Sequence, residues 1–164
     1  MTLPSAPPEA VAQWPTCVVG LRTAAEGTLQ EILFLPPGTP TKSELSPAGK
    51  ILRDWLDAWL EAPATPLALA LQSRGTQFQQ RVWAAIRAIP PGQTRSYGEL
   101  AALLGSAPRA VGQACGNNPF PLLTPCHRVR ARTGTGGFAH AESGWLISTK
   151  LWLLAHEARY APFF

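Results

Sequence analysis

Two short runs of β-branched and alternating apolar residues open the chain. Residues 16–22 (TCVVGLR) and 28–35 (TLQEILFL) flank the turn-like TAAEG. Their spacing predicts a hairpin. Beyond the loop PPGTPTKSELSP, residues Ile51, Leu52, Trp55, Leu56, Trp59 and Leu60 recur at helical spacing, which predicts an amphipathic helix. The prolines of EAPATPLALALQSRGT interrupt any continuation, so this stretch reads as a connector. The boundary between an N-terminal supporting domain (residues 1–73) and a C-terminal domain (residues 74–164) is placed there.

The second part starts with Thr76 as a cap and a helix that carries Phe78, Val82, Ile86 and Ile89 on one face, stopped by Pro90-Pro91-Gly92. In SYGELAALLGSAPRAVGQACGN, Ser96 and Glu99 have capping-box spacing, Leu100, Leu103 and Leu104 form an apolar stripe, and Gly105 ends the helix. Pro108 suits the first turn of another helix running to about Gly116. Two short helices joined by a glycine turn describe a helix-turn-helix, an arrangement that serves DNA docking or plain helix packing. The second helix presents Ala110, Val111, Gly112 and Ala114. Such small residues suit close approach to a minor groove, with Arg109 as the one long basic side chain; from the residues alone, tight packing with Arg109 in solvent is the favoured reading. The fold class expected is α+β: a small strand-and-helix domain, then a mainly helical domain containing the helix-turn-helix.

Charge sharpens this division. The net charge is +4, yet residues 1–73 carry four basic and seven acidic groups whereas residues 74–164 carry ten basic groups, nine of them arginine, and three acidic ones. An arginine-rich segment attracts polyanions by releasing counterions condensed on phosphates, although a basic surface can also be merely solubilising. No stretch approaches the roughly 20 apolar residues of a membrane span, and the N-terminal MTLPSAPPEAVAQW lacks a basic start followed by an apolar run. The widely spaced Cys17, Cys115 and Cys126 suit a reducing compartment, so a cytoplasmic monomer without membrane attachment is expected.

Candidate chemistry concentrates in residues 117–138, NNPFPLLTPCHRVRARTGTGGF, whose Pro, Asn and Gly content predicts an ordered loop leading into a turn. Cys126 becomes a nucleophile when a neighbour takes its proton, because thiolate attacks and thiol does not. His127 is the candidate, through a bridging water if the two side chains diverge; a buried, inert cysteine is the alternative. Neither CxxC nor HxxxH spacing occurs, so no metal or other cofactor is expected.

Pro125-Cys126-His127-Arg128-Val129, preceded by Asn118-Pro119 and by Arg109-Ala110-Val111-Gly112, resembles the active-site signature of the O6-alkylguanine-DNA alkyltransferases. The resemblance runs from about Gly75 to Glu157, and it implies single-use repair of duplex DNA containing O6-alkylguanine. By this resemblance Cys126 accepts the alkyl group, His127 activates it through water, Glu157 orients His127, and Asn118 holds the active-site turn. Tyr97 would donate to the base, the carbonyls of Cys126 and Val129 would accept from its exocyclic amine, and the amide of Ala139 would lie near O6. Arg109 would fill the gap left by the extruded base, with Ala110, Gly112 and Arg128 also at the DNA. The chain departs from the family in having Phe138 where tyrosine is common, followed by Ala139-His140-Ala141 and several extra residues before Lys150. His140 is expected to be a solvent-exposed bystander, with a pocket residue as the alternative, Cys17 and Cys115 packed cysteines, and His156 a surface residue of the last helix. A non-catalytic lesion-binding relative and a transcription factor are the alternatives; the former replaces the cysteine that is present here.

Overall fold

The computed structural model describes residues 6–160. The predicted hairpin forms as β2 (Val18–Thr23) and β3 (Leu29–Leu35), and a further strand, β1 (Glu9–Gln13), pairs antiparallel with β2 to give the sheet order β1-β2-β3. β1 was not foreseen: EAVAQ is short, and its one-sided burial comes from neighbours remote in sequence. The helix α1 (Pro47–Glu61) lies against this sheet. Its cap is itself held from β1, since the Glu9 carboxylate accepts from the Ser46 amide (2.8 Å) and hydroxyl (2.7 Å) while Ser46 Oγ accepts from Gly49.

The connector returns along the sheet edge, where the Leu29 amide donates to the Ala70 carbonyl and the Leu29 carbonyl accepts from the Gln72 amide, each at 2.8 Å. Next come α2 (Gln77–Arg87), the two-residue β4 (Arg95–Ser96), α3 (Tyr97–Leu104) and α4 (Pro108–Gly116). Thr76 and Ser96 both make complete capping boxes, with Gln79 and Glu99 respectively, each worth about 1 kcal/mol. Gly105, at φ 64°, turns the chain from α3 to α4 in a left-handed conformation that a side chain would resist. The loop after α4 contains one 3-10 turn, Cys126–Arg128, then β5 (Val129–Arg130), which pairs parallel with β4. Neither was expected in a loop so rich in Pro, Asn and Gly. The helix α5 (Trp145–Glu157) closes the fold.

The observed architecture is the expected α+β one. The apolar core is continuous across the connector: Leu21, Leu29, Leu52 and Trp59 from the first part join Val82, Ile86, Val111, Val129 and Leu153 from the second in one cluster. One consequence bears on function. The β3 residue Ile32 donates its amide to the Pro119 carbonyl (2.9 Å), so the N-terminal sheet braces the loop that carries Cys126. Among the described residues no helix is long and apolar enough to cross a membrane.

Candidate active site

Cys126 begins the 3-10 turn and is nearly buried, at 6% exposure, on the floor of a cavity of about 300 Å³. Asn118 fixes this floor. Its Nδ2 donates to Cys126 Sγ (3.1 Å) and to the Thr124 carbonyl (2.8 Å), while its Oδ1 accepts from the Phe120 amide (3.0 Å). One amide side chain thus pins both ends of the loop and touches the sulfur. The neighbouring Cys115 thiol, burial, and the Cys115 charge push the Cys126 thiol well above its ordinary range; Asn118 and Lys150 pull it down.

His127 follows in the same turn, where successive side chains diverge by about 120°. It is 1% exposed, and its Nε2 lies 2.9 Å from Glu157 Oε1, off the line of a straight hydrogen bond. Burial lowers its pKa despite the opposing pull of Glu157, so the ring is neutral at pH 7. Glu157, at the end of α5, is also 1% exposed. Burial pushes its carboxyl up, but the hydrogen bonds from Arg128 and the close approach of the His127 ring outweigh it and bring the pKa down to about 2.

The partner that outweighs burial is Arg128. Its Nε and Nη2 reach the two Glu157 oxygens at 2.9 and 2.6 Å, and Nη1 donates to the Ile89 carbonyl at 2.7 Å. This corrects the expectation that Arg128 faces DNA: the side chain is 4% exposed and its fork is consumed by a buried carboxylate. Val129 is fully buried, and its carbonyl, the expected acceptor from the base, accepts from Lys150 Nζ at 2.7 Å.

Sequence reasoning gave Lys150 no role. Its ammonium is fully buried and donates to the carbonyls of Val129, Thr135 and Gly137, at 2.7, 2.7 and 2.9 Å. Burial lowers its pKa to about 8, against the attraction of Cys115 and Cys126. The available signal was a lone lysine inside the apolar run WLISTKLWLLAHE, since an unpaired buried charge needs a reason.

The cavity wall opposite Cys126 carries Tyr97, whose hydroxyl donates to the Gly137 carbonyl (3.4 Å) and whose pKa burial raises to about 12, keeping it protonated. Ala139, exposed and at φ 49°, also lines the cavity, together with Gly112 from α4. Arg109 is exposed on the first turn of α4 and Ala110 is half-buried beside it. His140 is solvent-exposed, as expected, but it also lines the cavity, and its Nε2 lies 3.1 Å from Asn117 Oδ1. Nor is His156 a free surface residue, because its Nε2 lies 2.7 Å from the Leu60 carbonyl and its ring stacks on Trp59 and Trp152. Cys17 is buried, and Cys115 half-buried, both as free thiols.

Residues 77–159 match the family model for the DNA-binding domain of 6-O-methylguanine DNA methyltransferase. The chain belongs to this family. Methylated-DNA–protein-cysteine methyltransferases from Mycolicibacterium paratuberculosis and Mycobacterium tuberculosis are 44% identical over 109 residues and 49% over 113, covering 65% and 66% of this chain. In the other direction the chain spans 64% and 65% of those curated relatives, just under two thirds of their length. The fold matches further. A crystal structure of Mycobacterium tuberculosis OGT in complex with DNA superposes with a TM-score of 0.71 at 36% identity, covering 94% of each chain. The O6-methylguanine methyltransferase of the same organism gives 0.71 at 32% identity, covering 96% of this chain and 95% of its own.

Proposed function

We propose that this protein repairs duplex DNA by taking the alkyl group from O6 of guanine onto Cys126, once per molecule. The observation that carries this reading is the placement of one cysteine sulfur, braced by Asn118, on the floor of a cavity backed by the buried chain His127–Glu157–Arg128. The names of the relatives support it.

The chemistry is a displacement. The Cys126 thiolate attacks the alkyl carbon in line with its bond to O6; the C–S bond forms as the C–O bond breaks, and guanine leaves with the electron pair. A thiol whose pKa is raised needs a base, and neutral His127 supplies one through a water molecule, since the two side chains diverge. Glu157 stabilises the imidazolium that results, and Arg128 keeps that carboxylate ionised. Lys150 adds a fixed positive charge near the thiolate. Tyr97, held protonated, donates to the leaving base and offsets the charge that grows on it. The Cys126 carbonyl and the Ala139 amide face the same base.

A guanine stacked in a duplex cannot present O6 in line with a thiolate, so the nucleotide must rotate out. The α3–α4 pair supplies the docking face, with Arg109 occupying the vacated position and Ala110 and Gly112 permitting close approach. Residues 1–73 act as the brace for the active-site loop. The thioether product has a poor leaving group, so the reaction ends there.

Stoichiometry tests this. Increasing duplex DNA carrying O6-methylguanine is titrated into a fixed amount of protein, and unmodified guanine is counted. Guanine restoration that stops at one equivalent per molecule is expected; continued turnover, or binding without restoration, contradicts the proposal.

A further inference from the structure

The turn Phe138–Ala141 carries backbone strain at the edge of the cavity. Phe138 and Ala141 exchange both backbone hydrogen bonds, at 2.9 and 2.8 Å, and the two residues between them, Ala139 (φ 49°) and His140 (φ 65°), occupy the left-handed region. Two-residue turns of this hand favour Asn and Gly, which are absent here. Such a backbone persists only when its surroundings hold it.

His140 provides the hold. Its Nε2 lies 3.1 Å from Asn117 Oδ1. Its ring sits so closely over Gly116 that a Cβ there would fall 2.7 Å from Nε2 and nearer still to Cε1 and Nδ1. Gly116 ends α4, and its φ is not among the left-handed ones, so a side chain there would be opposed by the imidazole, which would have to move aside, and not by the backbone. The imidazole therefore ties the C-terminal end of α4 to the turn opposite, and Gly116, Phe138, Ala139 and His140 all line the cavity that Cys126 floors.

We propose that His140 is a specificity-determining residue, a clasp across the cavity that limits the size of the alkyl group able to reach Cys126. The inference rests on the reading of Cys126 as alkyl acceptor. In-line displacement puts Sγ, the alkyl carbon and O6 on one axis, so any substituent on that carbon projects sideways into the wall. A methyl group has no such substituent. A larger group meets the wall formed by Gly116, Phe138 and Ala139, which the clasp prevents from yielding.

The test is the ratio of single-turnover rates on duplex DNA containing O6-benzylguanine and O6-methylguanine, followed as alkylation of Cys126. His140→Ala should raise the benzyl-to-methyl ratio by about tenfold or more, the scale on which apolar pocket walls discriminate between substrates. Gly116→Ala, which removes no hydrogen-bonding side chain, displaces the ring from the opposite side and should raise the same ratio. It is informative even if His140→Ala does not fold. Combined, the two substitutions should give no more than the larger single effect, because they break one contact. A ratio unchanged in the single variants, or fully additive effects, overturns the clasp while leaving alkyl transfer standing; a wild-type protein that neither DNA alkylates overturns the reading beneath it.

Discussion

Replacing Glu157 with glutamine keeps the shape of the side chain and removes its charge. The carboxylate sits 1% exposed between the Arg128 fork and His127, so the substitution leaves a guanidinium that is 4% exposed without a counter-charge. Breaking a buried pair from one side costs about 3–5 kcal/mol. The pKa gives a second route: a carboxyl ordinarily near 4.5 that titrates at about 2 in the folded state contributes on the order of 3 kcal/mol. Because the folded pKa is depressed, that stability is present above about pH 4.5 and is lost as pH falls toward 2. His127 acts in the same direction, since its lowered pKa makes proton uptake below about pH 6.5 favour the unfolded chain. Urea unfolding at pH 7 should therefore show Glu157→Gln less stable by about 3 kcal/mol, roughly 6–12 °C in melting temperature. The difference should shrink below pH 4. Alkyl transfer should slow by about a hundredfold or more, as for a misplaced general base, while DNA binding is little affected. A variant within 1 kcal/mol of wild type at pH 7, or with an unchanged single-turnover rate, would refute the reasoning.

Two other perturbations separate the remaining parts. Arg109→Ala should slow repair of duplex DNA while leaving reaction with the free base O6-methylguanine unaltered; normal rates on duplex would remove Arg109 from base extrusion. In the wild type, the loss of the Lys150 proton near pH 8 should bring the single-turnover rate down on the alkaline side. Lys150→Met should lower the rate at neutral pH and abolish that alkaline fall; a fall that persists would place it on another group.

The elements that stand on local signals were legible in the sequence. Thr76, Ser96, Gly105 and Pro108 act within one or two turns of themselves, so the boundaries of α2, α3 and α4 follow from chemistry that is contiguous in the chain. The residues around Cys126 were legible through their resemblance to a family signature. What depended on distant partners was not. Arg128 reads as a surface base until Glu157, 29 positions later, folds back upon it. Val129 and Lys150 meet only when α5 closes over β5, and His140 reaches Gly116 and Asn117 through a turn whose non-glycine residues gave no turn signal. β1 needed the rest of its sheet to become a strand.

The central claim is that Cys126, and no other thiol, receives the alkyl group. Trypsin should release residues 110–128 as one peptide holding both Cys115 and Cys126, so fragmentation within that peptide is required to tell them apart. After incubation with duplex DNA carrying O6-methylguanine, mass spectrometry should find a gain of about 14 Da confined to fragments that contain Cys126. A gain on Cys115, or an unchanged mass in protein that has bound the DNA, would contradict the account.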